Sequence, residues 1–265
     1  MEYLTRNYGE LMEKHSDTRV KDWLFMDSPI PTIYIILAYI VTVLYILPKF
    51  MQNRKPFELT TIIRAYNLSQ VAACCYLIYT IATSGWIQGD YSLGCQTVDY
   101  SNTPNAVRVA KAFYLVYWLK CYEMIETGLF GLRKKFKQIS VLHVYHHSSS
   151  LVLAFLATKF IPGGMFALPV MMNLLIHVFM YTYYYLSSLG PEWQASIASW
   201  KPWMTISQMI QFTLMIIHSS TAFMPGCDVP KLFFYLYMPN VFLLFKMFFD
   251  FYQKSYKKRG DKKFT

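Results

Sequence analysis

Three of the chain's six histidines lie within five residues, at His143, His146 and His147. In a helix, His143 and His147 are one turn apart on the same face, and His146 borders that face. Long apolar runs lie on both sides of this cluster, and burying three imidazoles at the mouth of a membrane helix is costly. The cluster therefore indicates chemistry, either as metal ligands or as an organic active site.

A second set of polar residues interrupts the apolar run before the histidines. Lys120, Glu123 and Glu126 are spaced one helical turn apart. An ionised group at the centre of a membrane helix costs about 2.5–3.5 kcal/mol on insertion scales, and a lysine paired with a glutamate three residues later reduces that cost. These residues are predicted to serve a polar site, with a purely structural ion pair as the alternative.

The two apolar runs that follow the histidines also carry polar residues at helical spacing. Asn173 and His177 are four residues apart and are followed by several tyrosines, which could instead form an interfacial belt. The next run contains glutamines that could serve only for hydrogen bonding between helices. The candidates from these two runs are Tyr181, Tyr184, Gln208 and Gln211. The isolated His15 and His218 are predicted to be structural.

The composition is that of a membrane protein. Apolar residues make up 55% of the chain and charged residues 15%, whereas an ordinary soluble domain has about 25% charged residues. Runs of this kind, about 20 residues long, can cross the hydrocarbon layer as helices. The sequence predicts an all-α protein with seven transmembrane helices, at residues 31–48, 65–86, 109–130, 141–160, 164–187, 203–222 and 232–252.

The distribution of basic residues predicts the orientation of these helices. The net charge is +10, and the Lys and Arg residues cluster in the joints after runs 1 and 3 and in the C-terminal tail. The joint between runs 2 and 3 has none, so the basic segments are predicted to be cytosolic and the N-terminus lumenal. This pattern accounts for the charge better than nucleic-acid binding does. The predicted organisation is a lumenal segment (1–30), a helical domain (31–252) and a basic cytosolic tail (253–265).

Two cysteines lie in joints that this topology places on the lumenal side. They are Cys95, between runs 2 and 3, and Cys227, between runs 6 and 7. A disulfide between them fits an oxidising lumen, and two unpaired thiols are the alternative. The other three cysteines fall within apolar runs, where a cysteine behaves as a small apolar residue.

Taken together, these motifs resemble those of the eukaryotic very-long-chain fatty acid elongases. The family's KxxExxDT motif corresponds to Lys120–Thr127, its HxxHH box to His143–His147, and its NxxxHxxMYxYY motif begins at Asn173. The basic stretch 132–135 and a TxxQxxQ motif that starts at Thr205 complete the series in order. One position departs from the pattern, because Glu126 stands where the family usually has Asp.

The resemblance implies a fold and a location. Runs 2 to 7 would form a closed helical barrel around a narrow acyl tunnel, with run 1 outside. The resemblance also implies the disulfide between Cys95 and Cys227. Lys262 and Lys263 are similar to a dilysine signal for retrieval to the endoplasmic reticulum, and an ordinary basic juxtamembrane tail is the alternative.

The resemblance also implies an activity, namely condensation of a long-chain acyl-CoA with malonyl-CoA to a 3-oxoacyl-CoA, with release of CO₂ and CoA. No cofactor or metal is expected. An uncharged imidazole is a competent nucleophile, and the resemblance implies that His146 is the histidine that carries the acyl group. Asn173, His177, His143 and His147 would stabilise the enolate, orient the nucleophile or deprotonate it.

The remaining motif residues are expected to bind the substrates. The phosphates of CoA are assigned to Lys120, Arg133, Lys134 and Lys135, and Glu123 and Glu126 would hold Lys120 and a histidine in place. The expected partners are acyl-CoA, malonyl-CoA and the lipid bilayer. The reductase and dehydratase of the elongation cycle and a second copy of this chain are further candidate partners.

Two other classes of protein are weighed against this interpretation. Membrane di-iron desaturases and hydroxylases also use HxxHH boxes, but they need about eight histidine-rich ligands. The inner motifs of this chain offer four histidines and no second HxxHH box. A non-catalytic seven-helix receptor or transporter would need neither the histidine box nor the Lys120–Thr127 motif.

Overall fold

The computed structural model describes residues 16–89 and 91–257, and this part of the chain is helical, without β-strands. It contains eight helices, one more than the sequence predicts. The helices are α1 (Ile30–Met51), α2 (Thr60–Ile87), α3 (Pro104–Leu132), α4 (Val141–Phe160), α5 (Ala167–Ser187), α6 (Pro191–Ser196), α7 (Trp200–Ser220) and α8 (Lys231–Tyr252).

The seven long helices coincide with the seven predicted apolar runs, and the additional helix α6 lies in the joint between the fifth and sixth runs. Four segments within the described residues are long and apolar enough to cross a membrane: α1, α2, Gly164–Ser187, which contains α5, and Lys231–Tyr256, which contains α8. The other three long helices, α3, α4 and α7, are not among these segments. Each of them carries polar motif residues, which lower its mean hydropathy. Several membrane-spanning helices are therefore shown, whereas the count of seven spans is a prediction.

Two of the helices that carry the motifs, α3 and α4, begin at side-chain caps. Ser140 Oγ accepts a hydrogen bond from the backbone N–H of His143 and so caps α4. Thr103 caps α3 in the same way through Ala106 N, and Pro104 follows at the first helical position, where its missing N–H costs nothing. The cap at Ser140 fixes the first turn of α4, so that the histidine cluster starts within that turn.

The long helices pack in pairs around an apolar core. Helix α2 packs against α5, α3 against α4, and α7 against α8, while α1 lies against α3 and α4. Buried side chains from six of these helices form the largest cluster, among them Leu77, Phe113, Phe160, Leu174, Phe212 and Leu244. Motif residues on α3, α4 and α5 are thereby brought to one region of the bundle.

Three joints meet at one end of the bundle, which we call the disulfide end. Cys95 in the α2–α3 joint and Cys227 in the α7–α8 joint form a disulfide, with Cα atoms 5.6 Å apart. Met165, in the α4–α5 joint, donates its N–H to Gln96 O and accepts a hydrogen bond from His218 Nε2. His218 thus has a structural role, as the sequence predicts.

The two basic joints meet at the opposite end. Phe57 N donates to Leu132 O, and Lys134 Nζ donates to Gln52 O at 3.2 Å. The α1–α2 and α3–α4 joints are therefore neighbours, and their basic residues share one end of the bundle. Lys262, Lys263 and His15 lie outside the described residues.

Candidate active site

A buried cation forms the centre of the site. The ammonium of Lys120 lies 2.9 and 3.1 Å from the two carboxylate oxygens of Glu123 and donates to Asn173 Oδ1 at 2.9 Å. Lys120 is only 5% exposed and Glu123 is fully buried. A buried charge pair is tolerated when further hydrogen bonds satisfy the remaining donors, and Asn173 supplies that bond from α5.

The contact with Lys120 also fixes the orientation of Asn173. An ammonium has only donors, so the atom that faces it must be the amide oxygen. The Nδ2 group of Asn173 is then left as a donor. The side chain of Asn173 lines a cavity inside the helical bundle, which we call the main cavity. Such a donor is available for negative charge that develops on a bound substrate.

The second partner of Glu123 is a histidine. Nδ1 of His177 lies 3.0 Å from Glu123 Oε1, which is an ion-pair distance, although its angle is not that of a good hydrogen bond. Both side chains are buried, and the same Oε1 also accepts from Lys120, so the carboxylate of Glu123 lies between Lys120 and His177. A carboxylate in this position favours the tautomer with the proton on Nδ1, which leaves Nε2 able to accept a proton.

His146 stands across from this pair. Its ring centroid is 6.3 Å from that of His177 and 6.4 Å from that of Phe248. Unlike His147 and His177 it is partly exposed, and the surface that it exposes lines the main cavity. Of the three clustered histidines, His146 is the one in contact with this cavity.

A chain of two hydroxyl groups, from Thr127 and Tyr39, positions His143. Thr127 Oγ1 lies 2.8 Å from His143 Nε2, and Tyr39 OH lies 2.9 Å from Thr127 Oγ1. Tyr39 is buried even though it belongs to the peripheral helix α1. The chain orients His143, whose ring packs against His147 with centroids 4.4 Å apart.

This chain can be tested by replacing Tyr39 with phenylalanine. Loss of one buried hydroxyl partner should lower stability by about 1 kcal/mol and reduce the turnover rate several-fold, because His143 loses its fixed orientation. Initial rates and the midpoint of thermal unfolding would measure both effects. Tyr45→Phe is the matched control, since Tyr45 is on the same helix and 70% exposed. Equal rates for the two variants would contradict a positioning role for Tyr39.

His143 and His147 also form a potential metal site with Glu126. One ligand-type atom from each residue lies within 4.8 Å of the others. Two histidines and one carboxylate are a recognised ligand set for a single transition-metal ion. In this structure, however, Nε2 of His143 is already bound to Thr127. The set has three ligands, which is too few for the two ions of a di-iron centre.

The main cavity runs from these polar residues into the apolar interior of the bundle. Lys120, His146 and Asn173 line one part of it, and Ile161, Phe166 and Phe233 line the part nearest the disulfide end. Most of the other lining residues are apolar, among them Phe113, Val116, Leu153, Ala154, Leu156, Ala157, Pro169, Val170, Phe212, Met215, Leu236, Val241 and Leu244.

The predicted substrate-binding residues fall into an inner and an outer group. In the inner group, Gln211 lines the cavity and donates to Met215 Sδ, and Tyr181 is fully buried with its ring 5.8 Å from that of His177. In the outer group, Gln208 approaches Met180 Sδ at 4.0 Å and Tyr184 is exposed. Arg133, Lys134 and Lys135 lie in the α3–α4 joint, away from the buried ion pair.

The structure adds residues that the sequence analysis missed. Tyr39 is one, and Tyr66 is another: its hydroxyl accepts from Gln70 Nε2 at 2.8 Å and donates to the backbone oxygen of Glu123. Gln70 is fully buried on α2. A glutamine inside an apolar run is a signal that could have been used, whereas one tyrosine among 22 is not.

Comparison with known proteins finds similarity to very long chain fatty acid elongases over nearly the whole chain. The GNS1/SUR4 family matches residues 24–264. "Very long chain fatty acid elongase 7" of Drosophila melanogaster is 39% identical over 266 residues, which cover 99% of this chain and 80% of the relative. "Very long chain fatty acid elongase 1" of Homo sapiens is 39% identical over 261 residues, covering 97% of this chain and 92% of the relative. These elongases are similar to this chain over nearly its whole length. The chain therefore belongs to the GNS1/SUR4 family.

Proposed function

We propose that this protein is a 3-oxoacyl-CoA synthase that condenses a long-chain acyl-CoA with malonyl-CoA, the first step of fatty acid elongation. One observation carries the proposal. A single cavity has a histidine, a lysine and an asparagine in one part and apolar side chains along the rest of its length. This arrangement suits a substrate with a reactive thioester and a long hydrocarbon chain.

In the first step, His146 attacks the thioester carbon of the acyl-CoA. The bond from carbon to sulfur breaks, the acyl group is transferred to an imidazole nitrogen, and the thiolate takes up a proton as CoA leaves. Cysteine is the usual nucleophile for this type of reaction. Among the described residues that line the cavity, however, there is no cysteine, and His146 is the only histidine.

In the second step, malonyl-CoA loses CO₂ and the resulting enolate attacks the acyl carbon. The bond to His146 breaks, which returns the histidine and gives a 3-oxoacyl-CoA two carbons longer. Asn173 Nδ2 would donate to the enolate oxygen, and Nε2 of His177 would take up or return a proton, since the contacts of Asn173 with Lys120 and of His177 with Glu123 use the other atom of each side chain. Because CoA departs before malonyl-CoA binds, the order is ping-pong.

The phosphates of CoA are assigned to the basic α3–α4 joint. Arg133, Lys134 and Lys135 lie at the end of the bundle opposite the disulfide, where a charged headgroup can remain in water. Lys120 was expected to contribute here as well. Its ammonium is instead buried and occupied by Glu123 and Asn173, so we assign it to the catalytic centre.

The location and topology are part of the proposal. All seven long helices would span the membrane of the endoplasmic reticulum, with α2–α5, α7 and α8 closed around the cavity and α1 outside. The disulfide end would face the oxidising lumen and the basic end the cytosol. The reductase and dehydratase of the cycle would take the product in turn.

A metal-dependent oxidation is the competing function, because Glu126, His143 and His147 could bind one ion. We propose that these residues act without a metal, since His143 is engaged by Thr127 and His146 is outside the set. Elemental analysis of purified protein should find far less than one transition-metal ion per chain. One iron per chain would contradict the proposal.

The activity is tested with malonyl-CoA labelled at its free carboxyl group. Purified protein should release labelled CO₂ in proportion to the amount of long-chain acyl-CoA added, and a product two carbons longer should appear by mass spectrometry. Omitting the acyl-CoA is the control. Absence of acyl-dependent release across chain lengths would overturn the proposed function.

A further inference from the structure

Two polar groups lie unpaired in the apolar part of the cavity. Tyr237 and Asn240, on α8, both line it. The hydroxyl of Tyr237 and Nδ2 of Asn240 are buried and have no hydrogen-bond partner within the described residues. Tyr237 is only 8% exposed as a whole. Buried donors are almost always paired in proteins, so two neighbouring exceptions in a ligand cavity require an explanation.

The orientation of Asn240 is fixed by its neighbour. The hydroxyl of Tyr145 lies 2.8 Å from Asn240 Oδ1. An amide oxygen only accepts, so Tyr145 donates and the other end of the amide, Nδ2, remains a free donor. Tyr237 is one helical turn away and its ring packs on that of Phe166, 5.3 Å between centroids. The two side chains therefore present an N–H and an O–H to the same stretch of the cavity.

The depth of this pair can be measured along α8. Phe248 is at the level of His146, and Asn240 and Tyr237 precede Phe248 by eight and eleven residues. At the helical rise per residue this is roughly 12–16 Å. An extended hydrocarbon chain advances about 1.3 Å per carbon–carbon bond, so a chain attached at His146 would pass the pair about 10 to 13 carbons from its thioester carbon.

We propose that Tyr237 and Asn240 form a subsite for a hydroxyl group on the acyl chain, at about the tenth to thirteenth carbon. The inference rests on the proposed function and narrows it to a substrate class, mid-chain hydroxylated long-chain acyl-CoAs. A hydroxyl oxygen can accept from Asn240 Nδ2 and exchange a second hydrogen bond with Tyr237. A saturated chain leaves both groups unpaired, and a carbon–carbon double bond has no lone pair to offer them.

The test compares three acyl-CoAs of equal length in the condensation assay with malonyl-CoA. They are stearoyl-CoA, 12-hydroxystearoyl-CoA, whose hydroxyl falls in the window of about 10 to 13 carbons, and a positional control, 7-hydroxystearoyl-CoA. The protein variants are Tyr237→Phe and the double variant Tyr237→Phe/Asn240→Leu. Tyr235→Phe is the matched control, because Tyr235 is on the same helix and 63% exposed.

The unaltered protein should use the 12-hydroxy substrate about tenfold better than stearoyl-CoA in kcat/KM, and better than the 7-hydroxy substrate. The double variant should bring that ratio to about one while stearoyl-CoA is still elongated, and Tyr235→Phe should keep the tenfold ratio. Tyr237→Phe removes a single oxygen atom, so it reports on the subsite even if the double variant fails to fold.

Two results would overturn the inference, and they have different consequences for the proposed function. If stearoyl-CoA is elongated but the 12-hydroxy substrate has no advantage, or keeps its advantage in both variants, the subsite is wrong and the proposed function stands. If none of the three substrates is elongated by the unaltered protein, the proposed function fails and the inference fails with it.

Discussion

Replacing His146 with alanine should abolish both acyl transfer and condensation. With acyl-CoA alone, the intact mass of the unaltered protein should increase by one acyl group and an equal amount of CoA should be released. The variant should show neither change, because no other histidine of residues 16–89 and 91–257 lines the cavity. The condensation rate should fall by at least about 10⁴-fold, as is typical when a covalent nucleophile is removed.

The control for this experiment is Cys121→Ser. Cys121 is an unpaired thiol on α3, next to Lys120 in sequence, and a thiol is the conventional nucleophile for a thioester. The serine variant should still form the adduct at the normal rate. Peptide mapping that places the acyl group on Cys121 would contradict the histidine mechanism even if His146→Ala is inactive.

Replacing Glu123 with glutamine should have the second largest effect. The change leaves the ammonium of Lys120 buried without its anion and removes the acceptor beside His177 Nδ1. Breaking a buried ion pair on one side costs about 3–5 kcal/mol, so the midpoint of thermal unfolding in detergent should fall clearly. Turnover should fall by about 10²–10⁴-fold, because His177 loses the carboxylate that sets its tautomer.

Two further variants separate the loss of stability from the loss of chemistry. Lys120→Met combined with Glu123→Gln removes the whole charge pair and should regain most of the stability but no activity. Asp250→Asn is the control, because it breaks an exposed ion pair, that with Lys246 on α8, and it should leave stability and turnover nearly unchanged. Recovery of full activity in the double variant would mean that the pair is only structural.

Some parts of the site could be predicted from sequence because they depend on spacing within one helix. The pairing of Lys120 with Glu123 follows from a separation of three residues, and the structure shows it at 2.9 Å. The proximity of His143 and His147 follows in the same way from four residues. The family motifs then indicated which helices carry the site.

Contacts between helices could not be predicted in this way. Two contacts depend on how α3 packs against α5. They are the hydrogen bond from Lys120 to Asn173 and the contact between Glu123 and His177. Tyr39 was missed because the first 18 residues of α1 carry no charge and its tyrosines look alike in sequence, although Tyr39 is the one that contacts Thr127. Tyr237 and Asn240 were missed because the sequence of an apolar run does not show which of its polar residues face a cavity.

Helix α6 was missed for a different reason. The six residues Pro191–Ser196 are too short to show a hydrophobic period, and none of them is buried. The sequence signal there is the Gly190–Pro191 pair, which is typical of a turn. Proline at the first helical position is equally common, so the same residues are compatible with a short helix.

The disulfide between Cys95 and Cys227 has a consequence for how the protein is made. The two cysteines are 132 residues apart, so at usual synthesis rates Cys95 waits roughly 7–26 s for its partner to emerge. The unpaired thiols within the described residues, Cys74, Cys75 and Cys121, all lie inside α2 and α3. Mispairing is therefore limited to other chains, and the bond can form as soon as α7 and the joint that carries Cys227 have been synthesised, before α8 is complete.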